Sequence, residues 1–258
     1  MSQSIFTNTP FERVAVKDGI DASSVEGVVD SPYAMSAMAV EVNYPKSAVP
    51  VLWWRSVGHS HTAFVMETVI DELARAARKD PVAFRLALLR GKPRDQAVVK
   101  LAAEQSGWGR RLPVGEGSGF AYHVSFGTRV AMATEVALKE GVVKVNRIVA
   151  AVDCGTAVNP DLVVAQVEGA IGFALSAVLR NEITMNQGAV EQRNFDDYEP
   201  TRMREMPKVE VHLVSSQERP SGMGEPGVPP LAPSIGNAVF AATGKRLRNL
   251  PLRLKTAL

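Results

Sequence analysis

VAMATEVAL (130–138), KEG (139–141) and VVKVNRIVAAV (142–152) are two apolar, β-branched runs parted by a short polar break. Runs of this kind joined at Lys139-Glu140-Gly141 predict an antiparallel hairpin. Downstream, Asp153-Cys154-Gly155 breaks the second strand. Asn159-Pro160 then supplies a helix cap and a first-turn proline, opening a long apolar helix through about Leu179. Asn186-Gln187-Gly188 reads as the turn of a second hairpin, and Pro207–Val214 alternates as a strand. A final helix runs from about Ala232 to Thr243 and stops at Gly244.

Upstream, residues 109–119 are glycine-rich and read as a linker. Before them, 59–107 is helical. Phe64, Met66, Val69, Ile70, Leu73, Ala74 and Ala77 recur at helical spacing, with acids ahead of bases as the helix dipole favours. Asp80-Pro81 caps a second helix through Leu89, and a third runs from about Arg94 to Gly107. The first 50 residues mix turn signals with short apolar stretches, Val14–Val16 and a strand-like Met38–Val42. Helices and antiparallel hairpins in separate runs define an α+β class rather than a βαβ alternation.

The chain has 258 residues, 29 basic against 27 acidic, for a net charge of +2. Such a balance provides no field for general nucleic-acid binding. Five bases near the end (Lys245, Arg246, Arg248, Arg253, Lys255) read as a solvated terminus. A single cysteine, Cys154, excludes an internal disulfide framework and a cysteine-held iron–sulfur centre. No apolar run is expected to reach the ~18–20 residues of a membrane span. Residues 1–10 have no secretory-signal pattern, which leaves the compartment open between cytoplasm and periplasm.

Among candidate groups, His59 and His61 are two apart, a poor geometry for a shared metal. They read as loop or cap histidines, with a site as the alternative, and His123 and His212 as isolated residues. Cys154, at an apolar strand end, reads as buried and inert. Gly115, Gly117 and Gly119 have no strand–turn–helix context for a phosphate cradle. The sharpest feature is Gly222-Met223-Gly224-Glu225-Pro226-Gly227-Val228-Pro229-Pro230. It is either a rigid loop with a solvated acid, or a carboxylate held at a pocket for general-base work.

Gly224-Glu225-Pro226-Gly227 through Asn237, Thr243-Gly244-Lys245-Arg246 and Leu250-Pro251 resembles the C-terminal signature of the molybdenum hydroxylases, the xanthine dehydrogenase family. Asp80 to Arg85, and Asp153-Cys154-Gly155 with Asn159-Pro160-Asp161 and Gln166 to Ala170, agree in order and spacing. Trp54-Arg55-Ser56-Val57-Gly58-His59-Ser60-His61 narrows the similarity to the isoquinoline 1-oxidoreductase beta-subunit and aldehyde oxidoreductase type. The resemblance covers nearly the whole chain. Residues 1–110 would be the first part of a molybdopterin-binding region and 111–258 the second, which carries the glutamate loop.

The resemblance implies that an aldehyde or N-heterocycle is oxidised with water as the oxygen source. Glu225 matches the family's catalytic base, and Gln166 a glutamine that hydrogen-bonds the pyranopterin. Arg55, Ser56, Val57 and Gly58 match a loop facing molybdenum, in which Arg-Ser-Val-Gly replaces the common Arg-Gly-Phe-Gly; Gly224 lets the backbone approach the cofactor. The metal takes no protein ligand. The implied cofactor is molybdopterin, in either its plain or its cytosine dinucleotide form. A [2Fe–2S] centre would sit on a separate small subunit. Because glycine-rich segments that grip the cofactor are missing, the chain is expected to be a C-terminal portion, inactive without the N-terminal half of the large subunit. A non-catalytic assembly module of such a complex is the alternative reading, and an unrelated α+β binding domain a third.

Overall fold

The protein is described by a computed structural model covering residues 16–45, 49 and 53–254. The N-terminal ten residues, Val14 and Lys255 lie outside the described residues. The predicted hairpin is β4 (Thr128–Lys139) and β5 (Val142–Asp153), paired from Arg129↔Asp153 to Lys139↔Val142 with a register shift between Glu135 and Val136. Glu140 and Gly141 turn between them with φ of 54° and 78°, the left-handed pair that a tight hairpin requires. β3 (Glu116–Ser125) pairs antiparallel with β4, and β8 (Lys208–Leu213) pairs parallel with β5. The sheet order is therefore β3–β4–β5–β8. Two small hairpins lie apart from it, β1 (Val16–Lys17) with β2 (Ile20–Asp21), and β6 (Met185–Asn186) with β7 (Ala189–Val190).

Both faces of this sheet are covered, so its central strands carry unbroken apolar runs, Val130–Ala133 and Ile148–Val152. Val130, Met132, Ile148, Ala150 and Val152 pack on α4 (Pro160–Leu179) and α5 (Leu231–Thr243). The alternate positions Ala131, Ala133 and Ala151 join Phe120 and Tyr122 against α2 (Pro81–Leu88) and α3 (Pro93–Ser106). α1 (His59–Ala76) adds Ile70 to that second cluster and Phe64 to the first. Buried Glu67 accepts from Tyr33 Oη (2.6 Å), Arg85 Nε (2.8 Å) and Tyr122 N (2.9 Å), tying α1 to α2 and β3.

The α+β class and the helix boundaries hold, and the caps explain the latter. Asp80 accepts from Val82 N and Ala83 N, Asn159 accepts from Leu162 N, and Gly107 and Gly244 close their helices with φ of 65° and 72°. Several local expectations need correction. Glu116–Gly119 are strand, not linker. Cβ atoms at Gly117 and Gly119 would meet the α5 backbone at 2.3 and 2.2 Å, so these glycines let helix and strand touch. Met38–Val42 forms no strand. β5, α4 and β8 make one parallel crossover within an otherwise antiparallel sheet. α4, 20 residues long with a mean hydropathy of 1.9 over its most apolar 18, is long and apolar enough to cross a membrane, although Val167, Ile171 and Leu175 bury one of its faces in the core. The terminal basic cluster is not simply solvated either. Arg246 bonds buried Asp71 at 2.5 Å, and Arg248 pairs with Glu72 at 2.7 Å.

Candidate functional site

Immediately before α1 the chain makes a tight turn, with Val57 N donating to Trp54 O at 2.8 Å. Ser56 and Val57 have φ of 79° and 49°, a left-handed conformation that a β-branched valine rarely adopts. Strain of this kind, on the order of 1–3 kcal/mol per residue, persists only where surrounding contacts over-determine it. Here they do. Ser56 N donates to Glu225 Oε1 at 2.7 Å, Ser56 Oγ donates to Glu225 O at 2.8 Å, and Gly58 N donates to Glu26 Oε1 at 2.7 Å. Gly58 has an ordinary φ of −65°; it is a glycine because a Cβ would sit 1.9 Å from Ser23 O.

Arg55 reaches the other way. Its Nε donates to Gly224 O at 3.0 Å, and its Nη2 bonds the same carbonyl and Gln166 Oε1, the latter at 3.3 Å. Trp54 stacks on Phe173 at 4.6 Å, and the Arg55 guanidinium lies 5.6 Å from that ring. Gln166 and Phe173, seven residues apart, share the exposed side of α4. The 222–230 loop seats on the same helix: a Cβ on Gly227 would come 2.8 Å from Ala170 Cβ. Pro226–Pro230 are buried, Glu225 is half-buried and Gly224 is exposed. Arg55, Ser56, Val57, Gly58, Gln166, Gly224 and Glu225 thus meet at one place, although up to 170 residues separate them in sequence.

The histidines sort differently from their spacing. His59 is buried with its Nδ1 2.9 Å from His123 Nε2, and the Phe126 ring meets it edge-on at 5.5 Å. His123 is therefore a partner rather than an isolated residue. Burial pushes its imidazole down to about 3. His59 is also lowered by burial, against the pull of Asp30 and Glu225, and burial raises the Glu26 carboxyl. His61 is exposed and lines a separate groove with Val25, Val28, Val40, Val42 and Val65. Cys154 is buried with its thiol pushed up by burial, as an inert cysteine should be. Glu26 and His123 carry no sequence signal, since neither sits in a motif and their contacts span 32 and 64 residues.

Among the described residues, no group of three or more His, Cys, Asp or Glu is placed to hold a metal ion. What converges is a carboxylate, a guanidinium, a side-chain amide and bare backbone at Gly224, a donor set suited to a large polar cofactor that brings its own metal ligands.

Residues 54–207 match the molybdopterin cofactor-binding domain family, and the chain belongs to it. It corresponds to a region of the large subunits of xanthine-oxidase-type molybdenum hydroxylases. It is 36% identical over 226 residues to the beta chain of isoquinoline 1-oxidoreductase from Brevundimonas diminuta, covering 86% of this chain and 29% of that one. It is 35% identical over 250 residues to the B chain of nicotinate dehydrogenase from Pseudomonas putida, covering 88% and 21%. The chain thus spans less than a third of the length of these relatives. The aldehyde oxidoreductase structure from Desulfovibrio desulfuricans superposes with a TM-score of 0.62 over 77% of this chain and 40% of that one, at 12% identity, a likeness of fold.

Proposed function

We propose that the 54–58 turn, Gln166 and the Gly224–Glu225 loop form one wall of a molybdopterin site, with Glu225 as general base. Both parts of the chain contribute, the turn from 1–110 and the other two from 111–258. One observation carries this reading: a half-buried carboxylate whose Oε1 is aimed by the Ser56 N–H, in a motif loop stiffened by Pro226, Pro229 and Pro230. When bound, the cofactor supplies the oxygen to be transferred and takes up two electrons.

Glu225 then accepts a proton at Oε2, the oxygen not engaged by Ser56, and an N–H bond at Oε1 keeps the carboxylate oriented while it does so. Arg55 holds the Gly224 carbonyl, so the bare backbone of Gly224 stays presented to the cofactor. Gln166 keeps its amide N–H groups for the pterin, because its Oε1 is taken by Arg55. Trp54, stacked on Phe173, extends the helix side of the wall with apolar ring surface.

On this reading the substrate is an aldehyde or N-heterocycle, with water as the oxygen source. The rest of the large subunit completes the cofactor cage, in the plain or the cytosine dinucleotide form. A small subunit carries the [2Fe–2S] centres, which a chain with one cysteine cannot hold. The isolated chain is inactive and holds little cofactor. Metal analysis tests this: the chain alone should carry far less than one molybdenum, and co-expression with the remainder of the large subunit should raise it to near one. Near-stoichiometric molybdenum on the chain alone would refute the shared cage.

A further inference from the structure

We propose that Glu26 is a positioning residue for Glu225, acting through the strained 56–58 turn and backed by the buried His59–His123 pair. This rests on the reading of Glu225 as the base. The turn is gripped at both ends by carboxylates: Ser56 N by Glu225 and Gly58 N by Glu26, each at 2.7 Å. Between the two grips lies Val57, left-handed and β-branched, which relaxes to an ordinary backbone conformation if either grip is lost. Releasing Gly58 therefore lets the turn relax and loosens the Ser56 N–H bond to Glu225, with Ser56 Oγ on Glu225 O as the remaining tie.

Glu26 is itself held in place. Its carbonyl accepts from Thr62 Oγ1 at 2.7 Å. Its neighbour Gly27 is packed so tightly that a Cβ would come 2.7 Å from His123 Cε1 and 2.9 Å from His59 Nδ1. The second carboxylate oxygen, Oε2, lies 3.7 Å from His59 Nε2. With His123 Nε2–H donating to His59 Nδ1, a tautomer assigned from this network, the Nε2–H of His59 faces Glu26. Asp30 also bears on the pair, its Oδ1 taking the Gly27 N–H at 2.5 Å. Two neutral imidazoles and a carboxylate thus stand behind the turn while Glu225 stands in front of it.

Amide hydrogen exchange on this chain reads the coupling without any molybdenum. In Glu26→Ala, the Ser56 amide should exchange roughly tenfold faster or more, while Ala150 in the sheet is unchanged. Glu26→Gln, whose amide oxygen can still accept from Gly58 N, should restore most of the protection. If Glu26→Ala does not fold, His59→Asn, which removes the ring facing Glu26, should move Ser56 in the same direction. In the assembled enzyme, Glu26→Ala should lower kcat roughly tenfold with KM and molybdenum content held, and Glu26→Gln should recover it. Unchanged Ser56 exchange, or Ser56 and Ala150 accelerating together, would overturn the positioning role. Full turnover in Glu225→Gln would instead sink the base assignment and leave the exchange result standing, so the two failures are distinguishable.

Discussion

The Ser56 backbone N–H donates to Glu225 Oε1 at 2.7 Å, joining residues 169 apart in the chain. That bond fixes the direction of the carboxylate proposed as the general base. It exists because the sheet and its helices bring the start of α1 against the loop that precedes α5.

The Arg55 bridge should matter to cofactor retention. Arg55→Ala removes donors to Gly224 O and Gln166 Oε1 and frees the loop from the helix. Charged hydrogen bonds contribute about 1.5–3 kcal/mol, so molybdenum affinity in the assembled enzyme should fall roughly 10–100-fold. Metal content after dialysis, compared between variant and parent, checks this. Unchanged occupancy would mean that the bridge does not shape the cofactor wall.

The buried pair of Glu67 and Arg85 anchors α1, the helix on which the site turn is mounted. Arg85 has no exposed surface, and Glu67→Ala leaves it without its carboxylate. The cost should be about 3–5 kcal/mol, read as a lower urea midpoint.

Two glycines in covered and open positions should respond with opposite signs. A Cβ on Gly119 meets Ser234 O and Ala238 N at 2.2 Å, both backbone atoms that no side-chain rotation can clear. Gly119→Ala should cost about 1–3 kcal/mol or more. Gly169 is exposed within α4 with nothing inside 4 Å, so Gly169→Ala should stabilise by about 0.5–1 kcal/mol. Thermal or urea unfolding of the two variants compares them directly.

Acid should destabilise the fold through His123. Its folded value of about 3 lies below the ordinary 6.5, so between these values the unfolded chain binds a proton that the folded chain refuses. The stabilisation is complete above pH 6.5 and is lost as pH falls toward 3. Going from pH 7.5 to 5, this group should remove about 2 kcal/mol. Urea unfolding at both pH values should show a smaller acid loss in His123→Gln; an equal loss would mean that the histidine is not held neutral.

Features that depend on neighbours in sequence were legible, and those that depend on distant packing were not. Asp80-Pro81, Asn159-Pro160, Gly107 and Gly244 act within one helical turn, so helix ends could be read from them. Glu140-Gly141 marked the hairpin for the same reason. β3 was missed because its glycines read as linker residues, whereas they answer to α5, more than 100 residues away. The crossover into β8 was missed because a strand's alternation does not say which neighbour it will pair with, or in which direction. In the site, Arg55 to Gly58, Gln166, Gly224 and Glu225 were legible through motif wording, and the structure brings them together. Glu26 and His123 were not, since an acid in a loop and a histidine in a strand acquire meaning only from what folds against them.

The most direct test of Glu225 as general base is turnover of the assembled enzyme carrying Glu225→Gln. The glutamine keeps an oxygen for the Ser56 N–H but cannot accept a proton. The account expects kcat to drop by roughly 10²–10⁴-fold with molybdenum content unchanged. Turnover within a few-fold of the parent, at equal metal loading, would contradict it.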